Sequence, residues 1–422
     1  MLKKFILLLL FAGTCGMVSA QWTPLPSGPF STLRFDDVYF VNDQVGWTCN
    51  GQGEIYKTVD GGTNWFLQFS CPYYFRSIEF LNASVGFAGT LDSKVYKTND
   101  GGSTWIDFTA DLPVVPNGIC GMSHFGNTIF MVGAYFNGAK MYKSFDGGNT
   151  WTYQGFNFAA TNLVDCLFLN ANEILVCGIA HPAFGVGGVI VKSNDGGATW
   201  TPLFQTALAS EYVWKLFSTG TGVVYASVES TIGNSTWFVK STDWGNTWTK
   251  KLVSSTVNID AEGIGFLNDS VGFIDGYGIA MYTTIDGGDT WSPVQPHNKT
   301  NRFFMLPSGI GYASGVTVWK YTPTATAVPE MVPHVQEIHN VTVTPNPAFD
   351  KIEVKAKIGC NTYAIIEMTD EQGRPIAGFH DGKISAGAHL FTKDIQSLPK
   401  GIYYITMRTH EHFKTAKLLV SK

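Results

Sequence analysis

The chain has 422 residues, 45% of them apolar and 14% charged, with a formal net charge of −5. That length supports a large core and more than one domain. Residues 21–325 carry 15 Lys and Arg against 23 Asp and Glu, a net of −8, so the surface would repel phosphate and argues against a nucleic-acid partner.

Aromatics make up 14% of the chain and there are 46 glycines, while helix-favouring charge is scarce. Composition therefore points to an all-β protein. The first 20 residues read as a secretory signal peptide, with Lys3 and Lys4 ahead of the apolar run Phe5 to Phe11 and Val18-Ser19-Ala20 as the cleavage site. Thr14 stands before Cys15 where a lipoprotein anchor would have a small Gly or Ala, so cleavage after Ala20 is expected. No later stretch is long and apolar enough to span a bilayer, which predicts no transmembrane segment after signal removal.

Six cysteines remain, with no CxxC pair, so neither a disulfide framework nor a zinc site is indicated. Cys166 and Cys177 are equidistant from a turn at Ala171-Asn172. A hairpin there leaves two readings open, a disulfide in an oxidising compartment or two buried thiols.

From Lys57 the chain repeats itself. KTVDGGTNW (57–65) returns as KTNDGGSTW, KSFDGGNTW, KSNDGGATW, KSTDWGNTW and TTIDGGDTW. The aspartates, Asp60, Asp100, Asp146, Asp195, Asp243 and Asp286, are spaced by 40, 46, 49, 48 and 43 residues, a period that suits one four-stranded propeller blade. Upstream of the motif, FDDVYFVNDQVGWTCN (35–50) matches FRSIEFLNASVGFAGT (75–90) and EGIGFLNDSVGFIDG (262–276). Each reads as a strand, an Asn-containing turn and a second strand opening on Gly-aromatic.

The segment 302–322 has three such strands and no DGG, whereas Gln21-Trp22-Thr23-Pro24-Leu25 copies the strand opening at Trp200. Trp22, Trp65, Trp105, Trp151, Trp200, Trp248 and Trp291 thus mark seven fourth strands. The reading is a seven-bladed β-propeller over 21–322, with the mature N-terminus completing the last blade.

The motif resembles the Asp-box, or bacterial neuraminidase repeat, and the longer unit is most similar to propellers of the photosystem II assembly-factor family. Related repeats occur in sialidases, xyloglucanases and sortilin-like receptors. The resemblance implies a fold far more than a function. The motif's residues read as structural. Its aspartate accepts backbone N–H groups of a tight turn, its glycines supply positive φ and its tryptophan fills the space between blades. One carboxylate per turn is too few for a calcium loop, so no metal and no cofactor is expected.

Function is then expected on the channel-lining first strands and the loops joining strands. Their alignment gives one column of Asp36, Arg76, Val164, Val213, Glu262 and Asn301, and a next column of Asp37, Ser77, Asp165, Trp214, Gly263 and Arg302. Asp36, Asp37, Arg76, Trp214, Glu262 and Arg302 are the candidate ligand-binding residues, opposed by the reading that they are solvated strand starts. Catalytic residues are not indicated. A sialidase needs an arginine triad, and although Arg34, Arg76 and Arg302 lie on neighbouring blades, Phe75-Arg76-Ser77-Ile78 departs from the Arg-Ile-Pro pattern of that family, which also has six blades. Xyloglucanases with this repeat place their acids between two propellers, and one is missing here. His124, His181 and His297 are isolated and read as structural or solvent-facing.

Residues 323–340 read as a Thr/Pro linker. The segment 341–422 alternates strands and turns as an Ig-like β-sandwich. Pro345-Asn346-Pro347, Asp370 to Gly373, and Gly401 and Tyr403 in Gly401-Ile402-Tyr403 resemble the C-terminal sorting domain of type IX secretion. The resemblance implies a Bacteroidota-type bacterium, the type IX secretion machinery as a partner, and a secreted or outer-membrane-surface location. The expectation is an exported non-catalytic propeller binding a surface protein or a glycan. A sialidase-like or other glycoside hydrolase is the alternative.

Overall fold

Apolar residues alternate with polar ones along each run of the repeat, as a strand with one face on a core requires. The computed structural model describes residues 22–25, 27–133, 138–230, 235–255, 260–277, 281–294, 299–323, 338–358, 362–370, 375–409 and 413–421. The stretch read as a signal peptide, Gln21, His297, Cys360, most of the stretch read as a linker and the turn after Asp370 lie outside them. Among the described residues no helix is long and apolar enough to cross a membrane.

Blade 1 is the antiparallel meander Phe35–Phe40, Gly46–Asn50, Glu54–Thr58 and Phe66–Ser70. The inner strands of blades 2 to 6 are Phe75–Phe80, Ile119–Phe125, Ala160–Phe168, Glu211–Ser218 and Asp260–Phe266. Blade 7 consists of Arg302–Met305, Gly311–Ser314 and Val318–Tyr321, and its fourth strand is Trp22–Pro24. Trp22 pairs with Tyr321, Thr23 with Lys320 and Pro24 with Trp319. Trp22–Pro24 therefore completes the last blade. Two blades are also joined directly, by one bridge between Glu229 and Asp260.

Each Asp-box forms the same turn. The Asp195 carboxylate accepts the Thr199 amide and hydroxyl and the Ser193 hydroxyl, and Ser193 Oγ accepts the Gly197 amide. The Thr199 bonds, with that from Ser193, hold the Asp195 carboxyl down at about 2. Positive φ at both turn glycines (Gly61 +67°, Gly62 +87°) makes the bend possible. Trp244 occupies the first of these positions in blade 5 and adopts φ 61° itself.

The lysine that opens most of these motifs is a second fastener. Lys57, Lys97, Lys143, Lys192 and Lys240 each donate to a backbone carbonyl in the box turn of the following blade, at 2.8 to 2.9 Å. Lys320 closes the ring onto Gly61 O at 2.8 Å. Blade 7 has no box to receive such a bond, and the matching position in blade 6 is Thr283, which bonds Gly272 O within its own blade. Lys57 and Lys320 lie over Trp47 and Tyr312. Those rings stack at 3.5 and 3.6 Å on Phe80 and Phe40 of the next blades.

The tail folds as two sheets around a core of its own. One holds Ile338–Thr344, Lys351–Ile358 and Gly387–Asp394, and the other Pro375–Ile384, Thr362–Asp370, Gly401–Arg408 and Phe413–Val420. Its first strand starts at Ile338, inside the stretch read as linker. Asn346 accepts the Leu419 amide and donates to Lys417 O. The Tyr403 hydroxyl donates to Pro399 O.

Cys166 and Cys177 do not face each other. The pairing sets Asp165 opposite Cys177 and Cys166 opposite Val176, and a one-residue offset places two side chains on opposite faces of a sheet. Each sits in a different apolar cluster, and both are free thiols.

Lys192 donates to Glu173 Oε1, Trp244 O and Asn246 Oδ1 with its ammonium out of solvent. Replacing it with Ala leaves a half-buried carboxylate and a seam carbonyl unpaired, and is expected to cost about 3–5 kcal/mol in chemical denaturation. Lys94→Ala, which breaks an exposed pair with Asp107, should cost less than about 1 kcal/mol.

Candidate functional site

The inner strands of neighbouring blades splay around the channel, so each presents a backbone edge that strand pairing does not complete. A side chain spans every seam. The Asp37 carboxylate accepts Ile78 N–H at 3.1 Å, Asp165 accepts Leu216 N–H at 3.0 Å and Asp275 accepts Thr300 N–H at 3.0 Å. Ser77 donates to Ile119 O, Ser227 to Glu262 O and Asn301 to Asp36 O, and Ser123 accepts Phe168 N–H. Asp37, expected to meet a ligand, thus holds blade 2 to blade 1.

The six candidate residues line the channel in two layers. A β-bulge near the start of the inner strand in blades 1 to 6 sets residues out of register with the second strand. Asp36, Arg76, Cys120, Val164, Trp214 and Glu262 are such residues, and Asn301 of blade 7 joins them. Arg76 Nη1 and Arg34 Nε both donate to Asp36 Oδ1 at 2.7 Å, and Arg34 also pairs with Glu262. The Arg76 guanidinium lies 5.0 Å from the centre of the Trp214 ring, whose indole N–H donates to Asn301 Oδ1 at 2.8 Å. In the next layer Arg302 bridges Asp37 and Asp165. Burial works against the charge of Arg302, and the two carboxylates outweigh it and raise its pKa.

The columns read from sequence need one correction. Blade 5 carries two residues in its bulge, so Trp214 belongs with Asp36 and Arg76, and Lys215 takes the place beside Asp37. The reading as solvated strand starts also fails. Asp36 is fully buried, and Asp37, Arg76, Trp214 and Glu262 are 3 to 5% exposed. Lys215 is 1% exposed, and its ammonium, 4.0 Å from Asp165, has no hydrogen-bond partner among the described residues. Burial and the neighbouring Arg302 lower its pKa.

Two features have no counterpart in the sequence reading. Glu229 sits opposite Asp260 where blades 5 and 6 meet, close to Glu262. Burial and these two carboxylates push its carboxyl up to about 8. His124, read as isolated, bonds through Nδ1 to Glu79 at 2.7 Å. His181 accepts the Ala183 amide within its own loop. Among the described residues no group of three or more His, Cys, Asp or Glu is placed to hold a metal ion.

Residues 342–421 match the family of the secretion system C-terminal sorting domain. The tail carries a secretion sorting domain. Residues 17–155 match the family of photosynthesis system II assembly factor YCF48. Among solved structures, YCF48 from Cyanidioschyzon merolae is 18% identical, with 72% of this chain and 99% of that one covered at a TM-score of 0.55. YCF48 bound to D1 peptide is likewise 18% identical, covering 72% and 97% at 0.53. An ancestral GH74 enzyme is 14% identical, covering 94% of this chain and 63% of that one at 0.55. At such identities the likeness is one of fold. No curated protein matches the sequence.

Because Glu229 binds its proton more tightly folded than unfolded, its protonation favours the folded state at low pH. That contribution is lost as pH rises from about 4.5 towards about 8. Glu229→Gln is expected to flatten this fall and to stabilise the protein by roughly 2–4 kcal/mol at pH 8 relative to the wild type. Thermal unfolding followed from pH 5 to pH 8 checks it.

Proposed function

We propose that the mature protein is a non-catalytic binding propeller, exported by type IX secretion to the surface or surroundings of a Bacteroidota-type bacterium. It binds a protein or a glycan through its channel. One observation carries this reading. The side chains that differ from blade to blade, Asp36, Asp37, Arg76, Trp214, Glu262 and Arg302, gather in two charged layers of the channel, while the repeated Asp-box residues serve the turns and seams. A channel where several blades converge is a concave place for a ligand. In this fold YCF48 has been seen with a peptide bound, which supports a polypeptide ligand. Within the network every arginine is tied to a carboxylate, which suits a preset surface more than a clamp awaiting a sugar acid.

The second reading is a glycoside hydrolase. It is favoured by Glu229, whose raised pKa beside Glu262 and Asp260 is what a general acid needs.

Mature protein immobilised on a support, exposed to envelope extract and to a glycan array, is expected to retain a saturable ligand. Glu262→Gln, which removes the charge of one of the two carboxylate partners of Arg34 at nearly constant size, should weaken capture by about tenfold or more. Soluble protein incubated with sialosides and xyloglucan oligosaccharides should release no sugar. Turnover that disappears in Arg76→Ala or Glu229→Gln would establish the hydrolase instead.

A further inference from the structure

The face that carries the Asp-box turns has an opening of its own. A cavity of about 1300 Å3 enters the channel there. Its wall includes Tyr39, Glu79, Phe217 and Phe304, which hold the same register position on the inner strands of blades 1, 2, 5 and 7. The other members of that layer are Ser123, Leu167 and Gly265. Glu79 is thus the one charged member of a seven-residue ring, among three aromatic side chains. The Tyr39 and Phe304 rings stand 5.0 Å apart at 60°.

The charges around this space do not cancel. At the floor, Arg302 is consumed by Asp37 and Asp165, and Lys215 stands 4.0 Å from Asp165. Two cations there offset two carboxylates, and Glu79 remains. One of its oxygens bonds His124, and the other has no hydrogen-bond partner among the described residues. Burial raises the Glu79 pKa, with the bond from His124 acting against it, so a desolvated carboxylate faces a concave aromatic space without a full countercharge. Aromatic faces attract cations, and more strongly when water is excluded. The tail lines the outer side of the cavity with Thr406, Arg408 and Thr409, so this chain already places a guanidinium at that rim.

We propose that this cavity receives an arginine or lysine side chain of a partner polypeptide, with Glu79 as its countercharge and Tyr39 and Phe304 as its aromatic walls. The proposal rests on the reading of the propeller as a binding module and names the ligand chemistry. It uses the mouth away from the Arg34–Glu262 pair, so the two can fail separately.

The test is calorimetric titration of the full mature chain with acetyl-Gly-Ser-Arg-Ser-Gly-amide and with its Lys and Gln counterparts. The Arg and Lys peptides are expected to bind, and the Gln peptide to bind at least tenfold more weakly. Glu79→Gln should weaken the Arg peptide by tenfold or more, Glu79→Asp should restore part of the loss, and Lys94→Ala, which alters an exposed pair away from the cavity, should leave this affinity unchanged. Raising the salt should weaken it further. If Glu79→Gln lowers the thermal midpoint, Phe304→Leu gives an independent reading and should reduce affinity severalfold. Equal binding of the Gln peptide, no binding of the Arg peptide at millimolar concentration, or full affinity in Glu79→Gln overturns the proposal. Envelope capture lost in Glu262→Gln alongside unchanged peptide binding in Glu79→Gln removes this proposal and leaves the broader reading standing.

Discussion

The inner strands of a propeller must stand side by side around a channel without forming a continuous sheet. Each therefore carries backbone donors and acceptors that its own blade does not satisfy, in a region largely closed to water. A buried backbone group left unpaired costs about 1–3 kcal/mol, and a ring of seven seams multiplies that cost. Here a side chain meets the need at every seam, through Asp37, Ser77, Ser123, Asp165, Ser227, Asp275 and Asn301. Much of the channel's charge follows from this constraint. An aspartate used as a backbone acceptor inside a protein needs a cation nearby, and Arg302 supplies one to both Asp37 and Asp165.

The outer seam obeys a different rule. There the same solution recurs, with a lysine from one blade donating to the box turn of the next and an aromatic ring beneath several of them. The exception supports the rule, since the blade preceding the box-less blade 7 carries Thr283 in place of lysine. Uniform residues at the perimeter and unlike residues at the channel follow from geometry. The perimeter must repeat to close the ring, while the channel can vary as long as each edge finds a partner. Variation is what a binding surface requires.

Much of the architecture was legible in the sequence because closure repeats. The seven tryptophans, the DGG turns and the match between Gln21–Leu25 and the strand at Trp200 give the number of blades and the way the ring is sealed. The meeting of Asp36, Arg76 and Glu262 was also legible, because it follows from aligning first strands. What stayed hidden depends on register. A bulge of two residues in blade 5 moved Trp214 by one layer and concealed Lys215. The bridge that sets Glu229 against Asp260 joins two blades, and no repeat-based alignment contains it. Glu79 and His124 meet across a seam although 45 residues separate them. The lysine before most Asp-boxes stood in plain view, yet its partner is in the following blade, so the motif on its own did not disclose it.

The seam side chains act as substitutes for strand pairing, and residue-resolved amide hydrogen exchange tests that most directly. The amides of Ile78, Phe168, Leu216 and Thr300 bond side chains of the preceding blade. These amides are expected to be protected like paired amides inside a strand, and Ile78 is expected to lose its protection when Asp37 is replaced by Ala. Exchange at these four amides as fast as in open loops, or unchanged protection at Ile78 in that variant, would contradict it.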